Sequence, residues 1–324
     1  MAFAIARQSL VALLAFALTG SCLADNYPSR LIKLVAPSAP GGPPDVRARW
    51  LAEKLGRALG QTIVIDNKPG AAGAIATLAV ARSPADGYTL LMVHQGTMAL
   101  NPHLYPNLPY DPIRDLAPIT RLVVSPLMIS VHPDVRATSI ADLLRLARDK
   151  PGQLNFGSPG VGTPPHMAGE LFGRMAHIDV LHIPYKSAPA ALTDLIGGRL
   201  TYTFDAVTTQ LPQVRAGRIR ALAVTSGKRL ASLPDIPTVA ESGLPGYEYW
   251  SWMGVCAPAG TPKEIVARLN AEIGKILKTQ EARDWFAEQG GEPIIESPEE
   301  FAAYIKTDYA RWGKLIREAG IKAE

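Results

Sequence analysis

A strand, loop and helix pattern that repeats near the start of the chain is the feature that most constrains its fold. Short apolar runs rich in β-branched residues at 31–36, 62–66 and 88–93 predict buried strands, and the first two lead through Gly-rich turns into helical segments. The first helix is predicted to start with Asp45 as its N-cap and to end at Gly60. Its apolar stripe is Val46, Trp50, Leu51, Leu55 and Leu59. Strands that alternate with helices in this way form βαβ units and a mostly parallel sheet.

The same alternation returns after a Pro-rich stretch at 101–118. Further strands are predicted at 155–157, 180–183, 200–204 and 219–225, with helices between them. These elements define a second lobe. The chain is therefore predicted to be an α/β protein with two lobes, each a mostly parallel sheet flanked by helices.

Two apolar extended segments, 122–131 and 253–257, are placed to cross between the lobes. The predicted division is 25–122 and 250–324 for the first lobe and 123–249 for the second. The closing part has apolar helical stripes but few strands, so we expect it to pack against the first lobe. These stripes are Ile265, Leu269, Ile273 and Ile276 in one helix, and Phe301, Tyr304, Ile305, Trp312 and Ile316 in another.

The first 24 residues are typical of a secretory signal peptide. Arg7 precedes the apolar run 10–18 and small residues follow it, so cleavage is predicted after Ala24. The run is too short to span about 30 Å of hydrocarbon, and export of a soluble protein is expected. The alternative is a lipoprotein acylated at Cys22, which is less favoured because residue 19 is threonine where such sites favour leucine.

Charge and cysteine content exclude several classes of protein. Lys+Arg number 33 against 29 Asp+Glu, a formal net charge of +4 without long blocks of like charge, so nucleic acid is not the expected partner. The two cysteines, Cys22 and Cys256, exclude a disulfide scaffold and a Cys-based zinc site. Neither metal-ligand spacing of histidines nor a P-loop or full G-x-G-x-x-G is present, so no metal or cofactor is expected.

Three Gly-rich loops, 38–42, 67–73 and 158–163, each follow a predicted strand and open a helix. The first turn of a helix presents unpaired backbone N–H groups with partial positive charge, so it binds an anion without an arginine. In an open α/β sheet such loops lie at the carboxyl ends of the strands, where ligands usually bind. The loops therefore predict an anion site, although each glycine alone is also explained by a tight turn.

Evidence for catalysis is weaker. Ser158 lacks the glycine two residues before it that a G-x-S-x-G nucleophile elbow requires. His166 follows the third loop and either reaches a ligand or has a capping or packing role. Asp205 follows a predicted strand and either accepts a hydrogen bond from a ligand or caps the next helix. The alternative function is a secreted serine hydrolase that uses Ser158 with His166 or His182 and Asp205.

Many motifs of the chain, in order, resemble the periplasmic receptors of tripartite tricarboxylate transporters, the Bug family. They are 27–30 with 37–45, 67–73, 86–91, 157–163 with 166–172, 182–186, 188–190, 194–198, and 220–225 with 233–246. The resemblance covers nearly the whole mature chain. It implies a two-lobed periplasmic binding protein of type II-like fold, without catalytic activity, that closes on a carboxylate in the cleft between its lobes and delivers it to a membrane permease.

The resemblance also implies where the ligand binds. Family members hold a ligand carboxylate between the first-lobe loop and the second-lobe loop, largely with backbone N–H groups and water, and they generally act as monomers. By position, 95–97 correspond to another ligand-facing loop, and Asp205 to a residue that selects the distal ligand group. The predicted ligand-binding residues are Ser38, Ala39, Gly41, Gly42, Gln95, Thr97, Ser158, Gly160, Gly162, Thr163, His166 and Asp205.

The sequence departs from the family pattern near these loops. Met98 stands where the family often has histidine, and His94 with Gln95 replaces small residues. Pro43 and Pro44 stiffen the first loop. These changes leave the fold prediction intact and alter residues that would determine which ligand binds.

Overall fold

The computed structural model describes residues 27–321, so the predicted signal peptide, its cleavage after Ala24 and the alternative at Cys22 lie outside the described residues. In chain order the strands are β1 (Ile32–Ala36), β2 (Ile63–Asn67), β3 (Thr89–His94), β4 (Leu116–Ser125), β5 (Leu127–Val131), β6 (Asn155–Ser158), β7 (Leu181–Pro184), β8 (Tyr202–Ala206), β9 (Arg220–Val224), β10 (Ser251–Pro258) and β11 (Glu292–Pro293). The helices are α1 (Pro43–Leu59), α2 (Ala74–Ala81), α3 (Asn101–Leu104), α4 (Ile140–Asp149), α5 (Pro164–Ala176), α6 (Ala188–Ile196), α7 (Val207–Arg215), α8 (Lys263–Leu277), α9 (Gln280–Glu288) and α10 (Pro298–Ala319). Within residues 27–321, no helix combines the length and hydropathy that a bilayer crossing requires.

The strands form two separate sheets, which confirms the prediction of an α/β protein with two lobes. The strand orders are β11-β4-β10-β3-β1-β2 and β7-β6-β8-β5-β9. In each sheet four strands run in the same direction, while β10 and β11 in the first sheet and β5 in the second run antiparallel to their neighbours. The reason is that β10 and β5 each enter their lobe from the other lobe, at the side of the sheet where the neighbouring strands end.

Two extended connections join the lobes. β4 ends at Ser125 in the first sheet and β5 starts at Leu127 in the second, so the chain passes from one sheet to the other at Pro126, inside the segment 122–131. The first sheet therefore continues beyond the lobe boundary predicted at residue 122. The chain returns to the first sheet along β10, close to the boundary predicted at residue 250.

Helices cover both faces of the first sheet. α1 and α8 bury Leu51 and Leu269 against one face, and α2 and α10 bury Val80 and Phe301 against the other. Each such side chain stabilises the fold by roughly 1.5–3 kcal/mol when it is fully buried. This packing fixes the helix that follows the first predicted loop, α1, on the sheet.

The closing helix α10 differs from the expectation that it packs only on the first lobe. Phe301 and Ile305, in its first half, join a buried cluster of the first lobe. Trp312 and Ile316, in its second half, join the main buried cluster of the second lobe. At 22 residues, α10 is long enough to connect the two cores.

Candidate ligand-binding site between the lobes

The directions of the strands bring the predicted loops to one gap. β1, β2 and β3 are parallel, and β4, which runs the same way, leaves this end of the sheet toward the second lobe. β5 enters the second sheet at the side where β6, β8 and β9 end. The loops 38–42, 67–73 and 158–163 follow these strand ends, so they face the gap between the lobes.

The two lobes touch at this gap. A Cβ atom built on Gly162 would lie 2.7 Å from Cδ1 of Leu104, and one built on Gly96 would lie 3.6 Å from the carbonyl oxygen of Gly162. Leu100 and Leu104 also join the main apolar cluster of the second lobe, although both precede β4 in the chain. The lobes are therefore closed against each other at the loop 158–163.

The first loop leads into a helix start with few free N–H groups. α1 begins at Pro43 with Gly42 as its N-cap, so the prediction of Asp45 as N-cap is wrong. Pro43 and Pro44 have no N–H, and the N–H of Gly41 donates to Asp45 Oδ2 at 2.8 Å. The carboxylate of Asp45 thus already occupies the positive end of the helix.

The remaining groups of the first loop differ in exposure. The N–H of Gly42 donates to the carbonyl of Ala39 at 3.2 Å, and Ala39 itself is exposed. Asn67 Nδ2, from the end of β2, donates to the carbonyl of Ser38 at 3.0 Å and so holds the loop in place. The Ser38 hydroxyl is buried and has no hydrogen-bond partner within residues 27–321. It is the polar side chain of this loop that a ligand can satisfy.

The second-lobe loop is braced by its own side chains. Ser158 Oγ accepts a hydrogen bond from the N–H of Gly160 at 3.2 Å, and Thr163 Oγ1 donates to the carbonyl of Gly160 at 2.7 Å. The N–H of Gly162 donates to Nδ1 of the buried His166 at 3.2 Å. α5 begins with two prolines, as α1 does, and its N-cap has no side-chain hydrogen bond. The loop therefore holds its shape without a ligand.

Ser158 contacts His182 and not His166. Ser158 Oγ lies 2.7 Å from His182 Nε2, and the rings of His182 and His166 pack with centroids 4.1 Å apart. Burial, with His166 alongside, lowers the pKa of His182 to about 3, so its ring is neutral at physiological pH. Among the residues described, no carboxylate bonds to His182, and Ser158 is fully buried. The predicted hydrolase arrangement therefore lacks its acid and an accessible nucleophile.

Asp205 lies at the end of β8, next to the boundary between the lobes. Its Oδ1 accepts the N–H of Ala206 at 2.7 Å, and its side chain is 8% exposed. Val207, two residues after Asp205, approaches the first lobe, since a Cβ built on Gly290 would lie 2.9 Å from Val207 Cβ. Burial raises the pKa of Asp205 to about 7. α7 has Ala206 as its N-cap without a side-chain bond, so Asp205 does not cap it from that position.

Gln95 is buried in a network that joins distant parts of the chain. Its Oε1 accepts the hydroxyl of Tyr249 at 2.6 Å, and its Nε2 donates to the carbonyl of Trp250 at 3.3 Å and to Asp308 Oδ2 at 3.2 Å. Asp308 also accepts Trp252 Nε1 at 2.8 Å. Protein groups thus occupy the amide of Gln95, which links the end of β3 to the start of β10 and to α10.

His94 and Thr97 lie together beside the second predicted loop. Thr97 Oγ1 donates to the carbonyl of His94 at 2.9 Å, and His94 Nδ1 accepts the N–H of Thr97 at 3.4 Å. Burial lowers the pKa of His94 to about 4, so its ring is neutral at physiological pH. Because Nδ1 accepts a hydrogen bond, the single ring proton is on Nε2. Nε2 lies 3.1 Å from a Cβ built on Gly73. Ala71 and Ala72 have positive φ values of 47° and 49°. Backbone strain of this kind concentrates at ligand-binding loops.

Sequence reasoning missed Arg47. It is only 8% exposed, on the buried face of α1 with Leu51 and Leu55. Its Nη1 donates to Met253 Sδ at 3.5 Å and its Nη2 to Ser125 Oγ at 3.3 Å, while its Nε is buried without a partner in the described chain. Burial lowers the pKa of Arg47 to about 10, so the guanidinium is still charged at neutral pH. Positions 47, 51 and 55 are four residues apart and lie on one face of the helix, so this spacing could have predicted that Arg47 is buried with Leu51 and Leu55.

Most of the chain matches a single protein family. The sequence model of the tripartite tricarboxylate transporter family receptors matches residues 47–321. The chain belongs to this family. The resemblance inferred from its motifs is thereby confirmed, and the members are periplasmic receptors. This tripartite tricarboxylate transporter family receptor is 36% identical to the protein BugT of Bordetella pertussis over 92% of each chain.

Solved structures of similar receptors have the same fold. Rpa4515 of R. palustris, solved with adipate, is 39% identical, with a TM-score of 0.86 over 92% of this chain and 100% of that one. MatC of Rhodopseudomonas palustris, solved with bound malate, is 29% identical, with a TM-score of 0.79 over 90% of this chain and 100% of that one.

Proposed function

We propose that this receptor captures an organic carboxylate between its two lobes and delivers it to the membrane permease subunits of a tripartite transporter. The observation that carries the proposal is the contact of loop 158–163 with Gly96 and Leu104, at the end of the first sheet where loop 38–42 begins, in a chain similar to receptors solved with adipate and malate. Both of those ligands are dicarboxylates.

The proposed site consists of the ligand-binding residues predicted from the sequence, with His94 added and with Gln95 in a positioning role, since protein groups occupy its amide. Ser38 Oγ is a buried hydroxyl without a partner in the described chain, and the Nε2–H of His94 is a second donor beside Gly73. Asp205, at the end of β8, is the second-lobe carboxyl group that we assign to this site. Donors of this kind bind a carboxylate because each charge-assisted hydrogen bond contributes roughly 1.5–3 kcal/mol.

The proposed motion is hinge closure of two lobes that divide near Pro126 and Trp250. β4 with β5, and the approach to β10, are the two connections between them. Because these connections are extended strand segments, a small rotation of the backbone there moves each lobe as a body. The proposed receptor is exported to the periplasm with cleavage after Ala24, and it acts as a monomer.

The proposed receptor has no catalytic role. The contact between Ser158 and His182 lacks an acid, and the ligand is released unchanged. Hydrolysis of carboxylic ester or amide substrates that disappears in Ser158→Ala would contradict this assignment.

The decisive experiment is calorimetric titration of the purified receptor with mono-, di- and tricarboxylates, aromatic acids included, each paired with its uncharged amide. We expect at least one acid to bind and its amide not to bind, because the site recognises negative charge. At 100 times Kd, that acid should stabilise the folded protein by about 2.7 kcal/mol, measured as a rise in melting temperature.

Two results would contradict the proposed function. Absence of heat and of thermal shift with every acid would exclude carboxylate capture. Equal binding of an acid and its amide would show that the gap does not recognise the carboxylate charge.

A further inference from the structure

Arg47 carries a buried positive charge that the protein itself does not neutralise. Of the ion pairs formed within residues 27–321, none includes Arg47. Its contacts are a thioether sulfur, which is a weak acceptor, and one serine hydroxyl. Removing a guanidinium from water is costly unless an anion and further hydrogen bonds replace the hydration. The guanidinium therefore has no carboxylate in the described part of the chain to offset the loss of its hydration.

Asp45, the acidic residue on the same turn of α1, already has protein partners. Asp45 accepts the N–H of Gly41, Nδ2 of Asn67 at 2.9 Å and the guanidinium of Arg49 at 3.0 Å. Arg49 is largely exposed and paired, whereas Arg47 is buried and unpaired. The two arginines of this turn thus have different roles, and only Arg49 has a protein carboxylate.

Arg47 lies at the end of the first sheet that faces the gap. Ser125 is the last residue of β4, directly before the crossing to the second lobe. Met253 is paired with His94, the last residue of β3. Both contacts of the guanidinium therefore belong to strand ends that border the proposed ligand site.

The position of Arg47 is separate from the end of β1, where the first loop starts. In the sheet, β10 and β4 lie two and three strands away from β1. Neighbouring strands are about 4.8 Å apart, so these strand ends are about 10–14 Å from the end of β1. The two oxygens of one carboxylate do not bridge such a distance.

We propose that Arg47 binds a second carboxylate of the ligand, and that this receptor therefore selects dicarboxylates over monocarboxylates. This inference rests on the proposed function, since it assigns the second charge of the same ligand. One carboxylate bonds to the donors of the loops, and the other bonds to the guanidinium, whose planar fork fits a carboxylate with two parallel hydrogen bonds.

The test compares acids of matched length on the full exported chain by calorimetry: succinate with butyrate, adipate with hexanoate, suberate with octanoate, and terephthalate with benzoate. We expect the wild type to bind at least one dicarboxylate 10-fold or more tighter than its monocarboxylate. Arg47→Gln should reduce that affinity roughly 10- to 100-fold and leave the monocarboxylate affinity unchanged. Arg57→Gln, the same change on an exposed arginine at the other end of α1, is the control and should keep the preference.

Three results would overturn the inference and leave the proposed function standing. In the first, the wild type binds acids without preferring the dicarboxylate. In the second, Arg47→Gln keeps the preference of the wild type. In the third, Arg47→Gln lowers the affinity for the dicarboxylate and for its monocarboxylate by the same factor. If the wild type binds no acid at all, the proposed function fails, and this result is distinct from the other three.

A second variant separates ligand binding from folding. Arg47→Met fills the same space without charge, so it should raise the melting temperature of the ligand-free receptor and abolish the dicarboxylate preference. A ligand-free receptor that Arg47→Met destabilises would mean that protein groups already stabilise the guanidinium, and the inference would be wrong.

Discussion

At the residue scale, burial favours the neutral form of the titratable groups that border the gap. It lowers the pKa of His94 to about 4 and that of His182 to about 3, and it raises the pKa of Asp205 to about 7. Arg47 is the exception, because a guanidinium does not lose its proton at neutral pH. The first lobe therefore keeps a fixed positive charge at Arg47, while Asp205 in the second lobe is half ionised near neutrality.

The raised pKa of Asp205 predicts a specific pH dependence. Between about pH 4 and pH 7 this carboxyl group is protonated in the folded protein and ionised in the unfolded chain, so its contribution to stability is complete below pH 4 and is lost as the pH rises to about 7. Asp205→Asn does not ionise. Relative to wild type, its free energy of unfolding should be equal near pH 4 and higher above pH 7, by roughly 4 kcal/mol at most, in urea titrations of the ligand-free protein.

Asp134→Asn is the matched control, since Asp134 is almost fully exposed. The interpretation of Asp205 as a buried acid is wrong if both variants give the same pH profile.

At the element scale, the loops 38–42 and 158–163 both lead into helices that start with two prolines. A proline fixes φ near −65° and removes an N–H, so α1 and α5 have rigid starts with fewer donors than other helices of their length. Amide groups alone are therefore a weaker anion site than the loop pattern predicts, and side chains such as Ser38, His94 and Arg47 gain importance.

The contact between loop 158–163 and α3 can be tested with one methyl group. Gly162 has φ of +77° and faces Leu104, so Gly162→Ala adds strain and a steric clash at the closed gap. We expect a loss of about 1–2 kcal/mol from the backbone alone, together with a larger radius of gyration in small-angle scattering and at least about 10-fold weaker ligand binding.

Gly217→Ala provides the control for backbone strain. Gly217 has φ of +67° and nothing within 4 Å of an added Cβ. It should lose similar stability without a change in radius or affinity. Equal effects of the two variants on radius and affinity would show that the contact with Leu104 does not hold the lobes closed.

Local patterns predicted most elements of this fold, because strands, Gly-rich turns and helical stripes depend on neighbouring residues. The first strand and the end of α1 at Gly60 are examples. The predictions that failed concern residues and strands whose environment is set by residues distant in the sequence. Gln95 bonds to partners more than 150 positions away, and Val46 was assigned to the apolar stripe although Arg47 is the buried neighbour. The direction of β10 followed from its origin in the other lobe, which no local pattern encodes.

At the scale of the whole molecule, the two lobes share apolar packing and not only two connections. Ala99, Leu100 and Leu104 from the first lobe, and Trp312 and Ile316 from α10, belong to the main cluster of the second lobe. Separation of the lobes exposes this surface to water. The lobes are therefore expected to unfold together, in one calorimetric transition whose van't Hoff and calorimetric enthalpies agree.

Trp312→Ala should break this cooperativity. Trp312 is fully buried, and its Nε1 donates to Asp308 Oδ1 at 2.9 Å. We expect a loss of about 3–5 kcal/mol and two resolved transitions in scanning calorimetry. Trp285→Ala removes a tryptophan that stacks on Trp50 within the first lobe, and it should lower the melting temperature while one transition remains. A single transition in Trp312→Ala would mean that α10 does not couple the lobes.

The length of α10 limits how the receptor can open. A helix of 22 residues is about 33 Å long and resists bending, and its two halves are embedded in different cores. The helix is therefore a rigid connection between the lobes, and we expect the lobes to rotate relative to each other by a limited angle only. For the proposed receptor, this predicts that a ligand enters and leaves on the side of the molecule opposite α10, and that a membrane partner which extracts the ligand contacts both lobes on that side.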